Sequence, residues 1–201
     1  MEKKRLEEIK RVLYVVDVLN GFVRGGNLAD STVSYIIPEI VRLVEEIKND
    51  SDSVVAFIKD SHQMGCKEFD TFPVHCLEGS WEAELVDELK PYENDALVYY
   101  KNSTSAMFAP GFMSDVDKMK NLREAIIVGL ELDICDINLG IPLINYFNQN
   151  NRDVDVVVPM NAVETFDSPV HNREEYTNMA YKFMEQGGLK LVRKYEMRRD
   201  K

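Results

Sequence analysis

The sequence has few of the residues, and none of the segments, that mark several large classes of protein. Its 201 residues include only three cysteines, Cys66, Cys76 and Cys135, an odd number without framework spacing. Structural disulfides are therefore not expected, and reduced thiols are the default. No apolar run is long enough to span a bilayer, and the charged first residues, MEKKRLEEIKR, lack the apolar core of a signal peptide. These absences predict a cytoplasmic protein without a membrane partner.

Positive charge is also scarce. Lys and Arg number 24 against 35 Asp and Glu, which gives a formal charge of −11. This balance disfavours the phosphate backbone of a nucleic acid as a partner, and it favours a small neutral or weakly charged substrate. The first turn, LNGFVRGG, lacks the G-x-G-x-x-G pattern that cradles a pyrophosphate, which argues against a dinucleotide-binding oxidoreductase.

What is present is an alternation of β-branched runs with segments of helical period, which is typical of parallel strands joined by crossover helices. We expect one domain over 1–201 with an α/β fold: an open, doubly wound, mostly parallel sheet of about six strands with helices on both faces. The predicted strands are 11–17, 53–59, 96–101, 124–129, 154–158 and 189–192. The predicted helices are 36–47, 133–148 with a bend or interruption near Gly140 and Pro142, 174–185, and a short helix at 81–88.

Three side chains with complementary chemistry follow the ends of predicted strands. Cys135 lies where the apolar run AIIVGL stops and a helical segment begins, the position of a poised nucleophile. Asp17 closes the first strand and Lys101 closes the third. Because parallel strands end at one edge of a sheet, an acid, a base and a thiol there form a candidate active site.

The longest segment without clear periodicity follows the second strand and is rich in metal-ligating side chains. Asp60 and His62 begin it, and Glu68 and His75 come further along. Two imidazoles with carboxylate oxygens suit a divalent ion such as zinc, iron(II) or manganese. Asp60 also follows a strand, so the segment should face the same edge as Cys135.

These residues stand in blocks that resemble the isochorismatase-like cysteine hydrolases, and within them the nicotinamidase branch. The blocks, in the family's order, are VVDVLNGF (15–22), DSH (60–62), FPVHC (72–76), YKNSTSAMF (100–108), GLELDIC (129–135) and AVETFDSPVH (162–171). The resemblance implies a catalytic triad, an oxyanion hole of two backbone amides beside a cis Leu130–Glu131 peptide bond, and a metal site. By position these fall on Asp17, Lys101 and Cys135 for the triad, on Glu131 and Cys135 for the oxyanion hole, and on Asp60, His62, His75 and Glu68 for the metal.

The resemblance further implies a metal-dependent cysteine amidohydrolase of NAD metabolism. It would convert nicotinamide, or a similar small carboxamide, to the acid and ammonia through a thioester on the cysteine. One divalent ion would be the cofactor, with zinc expected first and iron or manganese as alternatives. Phe22, Phe72 and Phe108 stand where nicotinamidase-like sequences carry aromatic substrate contacts, although core packing explains each of them equally well. Helical faces of such domains often pair, so a homo-oligomer is compatible with this interpretation.

The sequence departs from the family pattern beside the nucleophile. Glu131 and Leu132 stand where a small residue and then Ser or Thr are common, and Leu19 stands where Gln is common. We expect the Glu131 side chain to point to solvent while its amide serves the oxyanion. The alternative is a carboxylate that lines the pocket and repels anionic substrates. Another small amide, an isochorismate-like vinyl ether, and a non-catalytic metal-binding relative also remain open.

Overall fold

The computed structural model describes residues 6–197, and its centre is a parallel sheet. Within that range the strands are β1 (Arg11–Val16), β2 (Ser53–Asp60), β3 (Leu97–Lys101), β4 (Glu124–Gly129), β5 (Asp155–Pro159) and β6 (Lys190–Val192). They lie in the order β3-β2-β1-β4-β5-β6, and every neighbouring pair is parallel. The predicted strands differ from the observed ones by no more than one residue at either end, and the predicted fold class is confirmed.

Helices cover both faces of the sheet. The α-helices of the described residues are α1 (Asn20–Val23), α2 (Ile37–Lys48), α3 (Phe112–Lys118), α4 (Ile137–Gln149) and α5 (Arg173–Gly187), and a π-helical turn (Leu132–Asp136) precedes α4. Short 3-10 helices lie at Leu6–Glu8, Ser31–Ile36, Lys67–Asp70, Trp81–Ala83, Lys90–Asp95 and Ala106–Phe108. Within 6–197, no helix combines the length and apolar character needed to cross a membrane.

Alternation along β1 shows how the core is divided between the two faces. Val12 and Tyr14 pack on one side, among residues of α3, α4 and α5. Leu13 and Val15 pack on the other, among residues of α2. All four side chains are almost completely buried. A parallel sheet covered on both faces needs such continuously apolar strands.

The helix that follows the nucleophile differs from the prediction. We expected an interruption near Gly140 and Pro142, but α4 continues through Pro142 and the irregular turn lies before it, at Leu132–Asp136. Proline has no N–H to donate to the carbonyl of Asn138, four residues earlier. The hydroxyl of Ser105 donates to that carbonyl instead, at 2.8 Å, which satisfies the acceptor and lets the helix continue.

The predicted helix at 81–88 is also wrong, since only Trp81–Ala83 form a 3-10 turn. The residues that follow are extended against the segment after β1: Leu85 forms a bridge with Leu19, and the Val86 N–H donates to the Val18 carbonyl at 3.1 Å. Leu85 and Val86 are fully buried in this arrangement. Burial of these adjacent residues outweighs the helical propensity of the acidic segment.

The order of the strands sets the position of a crevice. From β1 the chain moves outward to β2 and β3 on one side and then returns to place β4 on the other side of β1. Connections leave the carboxyl ends of β1 and β4 in opposite directions, and ligands of open α/β sheets bind at such a switch point. Asp17, Lys101 and the turn after Gly129 all lie at this carboxyl edge of the sheet.

Candidate active site

The turn after β4 carries Cys135. β4 ends at Gly129, which has a φ of 127° and lies so close to Val16 that an added Cβ would collide with the Val16 backbone. Glycine is therefore required where β4 passes the end of β1. The Leu130–Glu131 peptide bond is cis, as the resemblance implies. The π-helical turn then presents Cys135, which is 5% exposed, at the carboxyl edge of the sheet.

Asp17, Lys101 and Cys135 meet at this edge. The Lys101 Nζ lies 2.8 Å from Asp17 Oδ2 and 3.6 Å from the Cys135 Sγ, and it also contacts the Asp60 carboxylate. Asp17 follows β1 with a φ of 50°, and its Oδ1 accepts the Asp60 N–H at 2.8 Å. The Asp17 and Lys101 side chains are 1% exposed. The structure thus brings together all three predicted residues in a water-poor environment, with the ammonium between the acid and the thiol.

Burial strongly affects the protonation of Asp17, Lys101 and Cys135. Burial, with the nearby Asp60 charge, raises the pKa of Asp17 to about 6, against the opposing effect of Lys101. Burial also raises the pKa of the Cys135 thiol, while Lys101 opposes the rise. Burial alone would lower the pKa of Lys101, but Asp17 and Asp60 hold it well above its usual value. At neutral pH the site therefore holds a thiol, an ammonium and a carboxylate whose pKa suits proton exchange.

The predicted metal-ligating residues form one cluster beside this triad. The ligand atoms of Asp60, His62, Glu68 and His75 all lie within 4.8 Å of one another. Asp60 is central, since His62 Nε2 lies 3.5 Å from its Oδ1 and His75 Nε2 lies 3.6 Å from its Oδ2. Glu68 Oε1 lies 3.6 Å from His62 Nε2. Burial would raise the pKa of Asp60, but Lys101 and the two imidazoles hold it below its usual value.

The two imidazoles are oriented as metal ligands usually are. His62 Nδ1 lies 3.1 Å from Asn102 Oδ1, and His75 Nδ1 lies 2.7 Å from the Pro73 carbonyl. An oxygen acceptor at Nδ1 fixes the proton there and leaves the Nε2 lone pair free to bind a cation. The Nε2 of His62 is buried without a hydrogen-bond partner within residues 6–197. An orphaned nitrogen among carboxylates fits a divalent cation.

Cys135 of the triad and three of the metal-ligating residues, Asp60, Glu68 and His75, line one cavity of about 340 Å³. Phe22 and Phe72, for which the sequence predicts substrate contacts, line this cavity, and they also pack on His75 with centroid distances of 5.6 and 6.3 Å. The lining residues are Phe22, Asn27, Leu28, Ala29, Asp30, Asp60, Glu68, Phe72, His75, Thr104, Glu131, Ile134, Cys135, Phe166, Asp167 and Ser168. Such a volume accommodates a small, flat ligand.

Phe108 does not line this cavity, which corrects the prediction that it contacts substrate. Its side chain is 82% exposed. The 3-10 turn Ala106–Phe108 buries Ala106 and turns Phe108 outwards. The aromatic residue that the sequence reasoning missed is Phe166, which does line the cavity. Its only sequence signal was its place in the block AVETFDSPVH.

The expectation that the Glu131 side chain points to solvent is also wrong. Glu131 is 6% exposed, and its Oε2 accepts the Phe166 N–H at 2.8 Å. The segment that contains Phe166 runs directly beside the nucleophile turn, where the Leu132 N–H donates to the Glu164 carbonyl at 2.9 Å. This segment covers Glu131, and burial holds the pKa of its carboxyl well above the usual value.

Asn102 is a further residue that the sequence reasoning did not select. It follows Lys101 at the end of β3, and its Oδ1 is the acceptor that orients His62. The available signal was its position, because a polar residue at the carboxyl end of a strand in this sheet faces the site. Cys66 and Cys76 lie near the metal-ligating residues but are not among the clustered ligands of the described chain.

Comparisons with known proteins agree with this geometry. Residues 11–193 match the family model for the isochorismatase domain. Nicotinamidase 1 of Arabidopsis thaliana is 31% identical over 175 residues, which cover 79% of this chain and 71% of that protein.

Solved structures show the same fold. The nicotinamidase/pyrazinamidase PncA of Bacillus subtilis superposes with a TM-score of 0.76 at 24% identity, covering 92% of this chain and 100% of that one. The pyrazinamidase of Pyrococcus horikoshii, solved in complex with zinc, gives a TM-score of 0.75 at 20% identity, with 91% and 98% of the two chains covered. On its sequence and its fold, the chain belongs to the isochorismatase domain family.

Proposed function

We propose that this protein is a metal-dependent cysteine amidohydrolase that converts nicotinamide, or a similar small carboxamide, to the carboxylic acid and ammonia. The observation that carries the proposal is the buried Lys101 ammonium between Asp17 and Cys135. Cys135 lines the same cavity as Asp60, Glu68 and His75 of the metal-ligating cluster. Relatives named for the hydrolysis of amides support the enzyme class.

The first step is a proton transfer coupled to attack on the substrate. Asp17 accepts the proton of the Cys135 thiol, which its pKa of about 6 permits near neutrality. The Cys135 Sγ forms a bond to the carboxamide carbon while Lys101, 3.6 Å away, stabilises the thiolate as it develops. Burial disfavours a free thiolate in the resting site, so the proton leaves as the substrate arrives.

The second step releases ammonia. Negative charge on the carboxamide oxygen is received by the backbone N–H groups of Glu131 and Cys135, in the turn fixed by the close contact of Gly129 with β1. The proton held by Asp17 passes to the nitrogen, the carbon–nitrogen bond breaks, and a thioester remains on Cys135. Water then attacks the thioester carbon and gives a proton to Asp17. The carbon–sulfur bond breaks, the carboxylic acid leaves, and Asp17 returns the proton to the Cys135 sulfur.

Asp60, His62, Glu68 and His75 are the residues that would hold a divalent ion. When bound, it would supply a Lewis acid that attracts a donor atom of the substrate, such as a ring nitrogen, and so orients the amide towards Cys135. Zinc is the expected ion, because two imidazoles and carboxylate oxygens suit it and a pyrazinamidase of the same fold has been solved with it.

The composition of the cavity wall favours a neutral carboxamide over the isochorismate-like substrate, one of the alternatives that the sequence left open. Asp30, Glu131 and Asp167 line the cavity, and no Lys or Arg does so within the described chain. An isochorismate-like substrate carries carboxylates, which require positive partners in a site of low dielectric. A neutral carboxamide has no such requirement.

The test is an ammonia-release assay with nicotinamide, pyrazinamide and a panel of small amides, with and without added zinc, iron or manganese. We expect turnover of nicotinamide that depends on added metal after chelation. An absence of ammonia from every amide under all metal conditions would refute the proposed function.

A further inference from the structure

Aromatic side chains line the candidate cavity from two different parts of the chain. Phe22 and Phe72 lie beside His75, at the metal-ligating cluster. Phe166 lines the same cavity but is tied to the nucleophile turn through Glu131. Phe166 and Cys135 therefore line the same cavity.

Glu131 ties Phe166 to the turn. Its carboxyl Oε2 accepts the Phe166 N–H at 2.8 Å, in a position that is 6% exposed. A buried hydrogen bond of this kind is costly to remove, because the donor is left without water or another acceptor. The neighbouring Leu132 N–H donates to the Glu164 carbonyl at 2.9 Å, so the turn and the segment are joined at more than one point.

The Phe166 ring also packs in a stack with two other ring side chains, His171 and Tyr176. It stacks on His171 with a centroid distance of 3.9 Å and an interplanar angle of 16°, and His171 stacks on Tyr176 at 3.7 Å and 25°. His171 Nδ1 lies 3.0 Å from the Phe166 carbonyl, and its Nε2 lies 2.9 Å from Asp133 Oδ2. Both the ring and the backbone of Phe166 are therefore fixed, as expected of a residue that shapes a binding surface.

Hydrogen bonds with Arg173 and Asp30 also hold the segment that contains Phe166. Arg173 donates through Nε to the Thr165 carbonyl at 2.8 Å and through Nη2 to Asp30 Oδ2 at 2.6 Å. The Asp167 N–H also donates to Asp30 Oδ2, at 3.1 Å. Because Asp30 and Asp167 line the cavity, this network fixes part of the cavity wall together with Phe166.

From these contacts we infer that Phe166 is a further substrate-binding residue, forming the aromatic wall next to Cys135, and that the buried side chain of Glu131 is its positioning residue. The ligand that fits this wall is a small carboxamide on a flat, uncharged ring. The inference rests on the proposed function. It assigns a role to the side chain of Glu131, the acidic residue that departs from the family pattern.

The test compares KM and kcat for nicotinamide in four variants with the wild type. Phe166→Ala should raise KM roughly tenfold, because an aromatic contact and the apolar area of the ring are lost, and kcat should change less. Glu131→Ala should shift KM in the same direction. Glu131→Gln should return KM to within about twofold of the wild type, because its amide oxygen still accepts the Phe166 N–H. The matched control is Phe183→Ala, a 57% exposed phenylalanine on α5 that should leave both constants unchanged.

A binding measurement separates this inference from the proposed function. Calorimetry with nicotinamide on the Cys135→Ala protein, with and without Phe166→Ala, should show affinity reduced roughly tenfold by the second substitution. A wild type without turnover, combined with binding that depends on Phe166, would overturn the function but support the aromatic wall.

Unchanged KM and unchanged affinity in Phe166→Ala would overturn the inference even if the enzyme is active. A Glu131→Gln variant as impaired as Glu131→Ala would overturn the positioning role. If Phe166→Ala does not fold, Phe166→Leu keeps apolar bulk without a flat ring, and an unchanged KM in that variant would likewise count against the proposed wall.

Discussion

Replacing Lys101 with methionine should destabilise the protein as well as inactivate it. The side chain is 1% exposed, and its ammonium contacts both Asp17 and Asp60, which are themselves 1% and 2% exposed. Methionine keeps much of the length and removes the charge. The Asp17 and Asp60 carboxylates then lie buried without the lysine that neutralises them both.

The expected loss follows from this burial. Removing one partner of a buried ion pair costs about 3–5 kcal/mol in the free energy of unfolding, because the remaining charge is neither hydrated nor paired. The free energy of unfolding of a small domain is about 5–15 kcal/mol in total. The variant should therefore fold, but with clearly reduced stability.

Lys59→Met is a matched control on the neighbouring strand. Lys59 is also buried, but its partner Glu93 is 30% exposed and lies 2.6 Å from the Lys59 Nζ. Once Lys59 is replaced, Glu93 can be hydrated, so the free energy of unfolding should fall by about 1 kcal/mol or less. The contrast isolates the effect of two buried acids from the effect of losing a buried lysine.

The assay is urea denaturation followed by circular dichroism, with a chelator present so that bound metal does not mask the effect. Turnover of nicotinamide is measured on the same preparations with metal restored. A Lys101→Met protein as stable as Lys59→Met, and with kcat within about tenfold of the wild type, would refute the reasoning.

Other predictions follow from the same geometry. His62→Ala should reduce bound divalent metal to less than about a tenth of an equivalent per chain after gel filtration, measured by elemental analysis, because its orphaned Nε2 is removed. Retention of metal at the wild-type level would count against the site. Phe108→Ala should leave the KM for nicotinamide within about twofold, since the side chain is 82% exposed outside the cavity. A larger rise would restore it as a substrate contact. Burial raises the pKa of Glu131, so its contribution to stability is lost as pH rises above the usual value of 4.5, and Glu131→Gln should gain stability relative to the wild type with increasing pH. Thermal melts across a pH series that show a constant difference would contradict this.

The sequence predicted the strands and the residues at their ends because both signals are local. The β-branched runs that pack between two helical layers must be apolar throughout, and they stop where Asp17 and Lys101 begin the polar edge. The position of Cys135 between an apolar run and a helix was equally direct. The family membership and the fold class are confirmed, and so is the class of enzyme, a hydrolase that acts on amides.

What sequence reasoning missed depends on contacts between distant segments. The orientation of Glu131 is decided by the Thr165–Phe166 segment, more than thirty residues away, which supplies an N–H and excludes water. The extended segment at 84–86 pairs with residues after β1, and no local pattern encodes that pairing. Phe108 follows Lys101 closely in sequence, yet a single 3-10 turn directs it to the surface.

The central claim is that the Cys135 thiol attacks the substrate amide with Asp17 and Lys101 as its partners. The most direct measurement is ammonia release from nicotinamide by Cys135→Ala protein whose circular dichroism and metal content match the wild type. We predict no release above the background of the uncatalysed reaction. A Cys66→Ser control should keep its activity, because that thiol does not line the cavity and serine keeps a polar group beside His62 Nδ1. Ammonia release at a rate near that of the wild type in the Cys135→Ala protein would contradict the account.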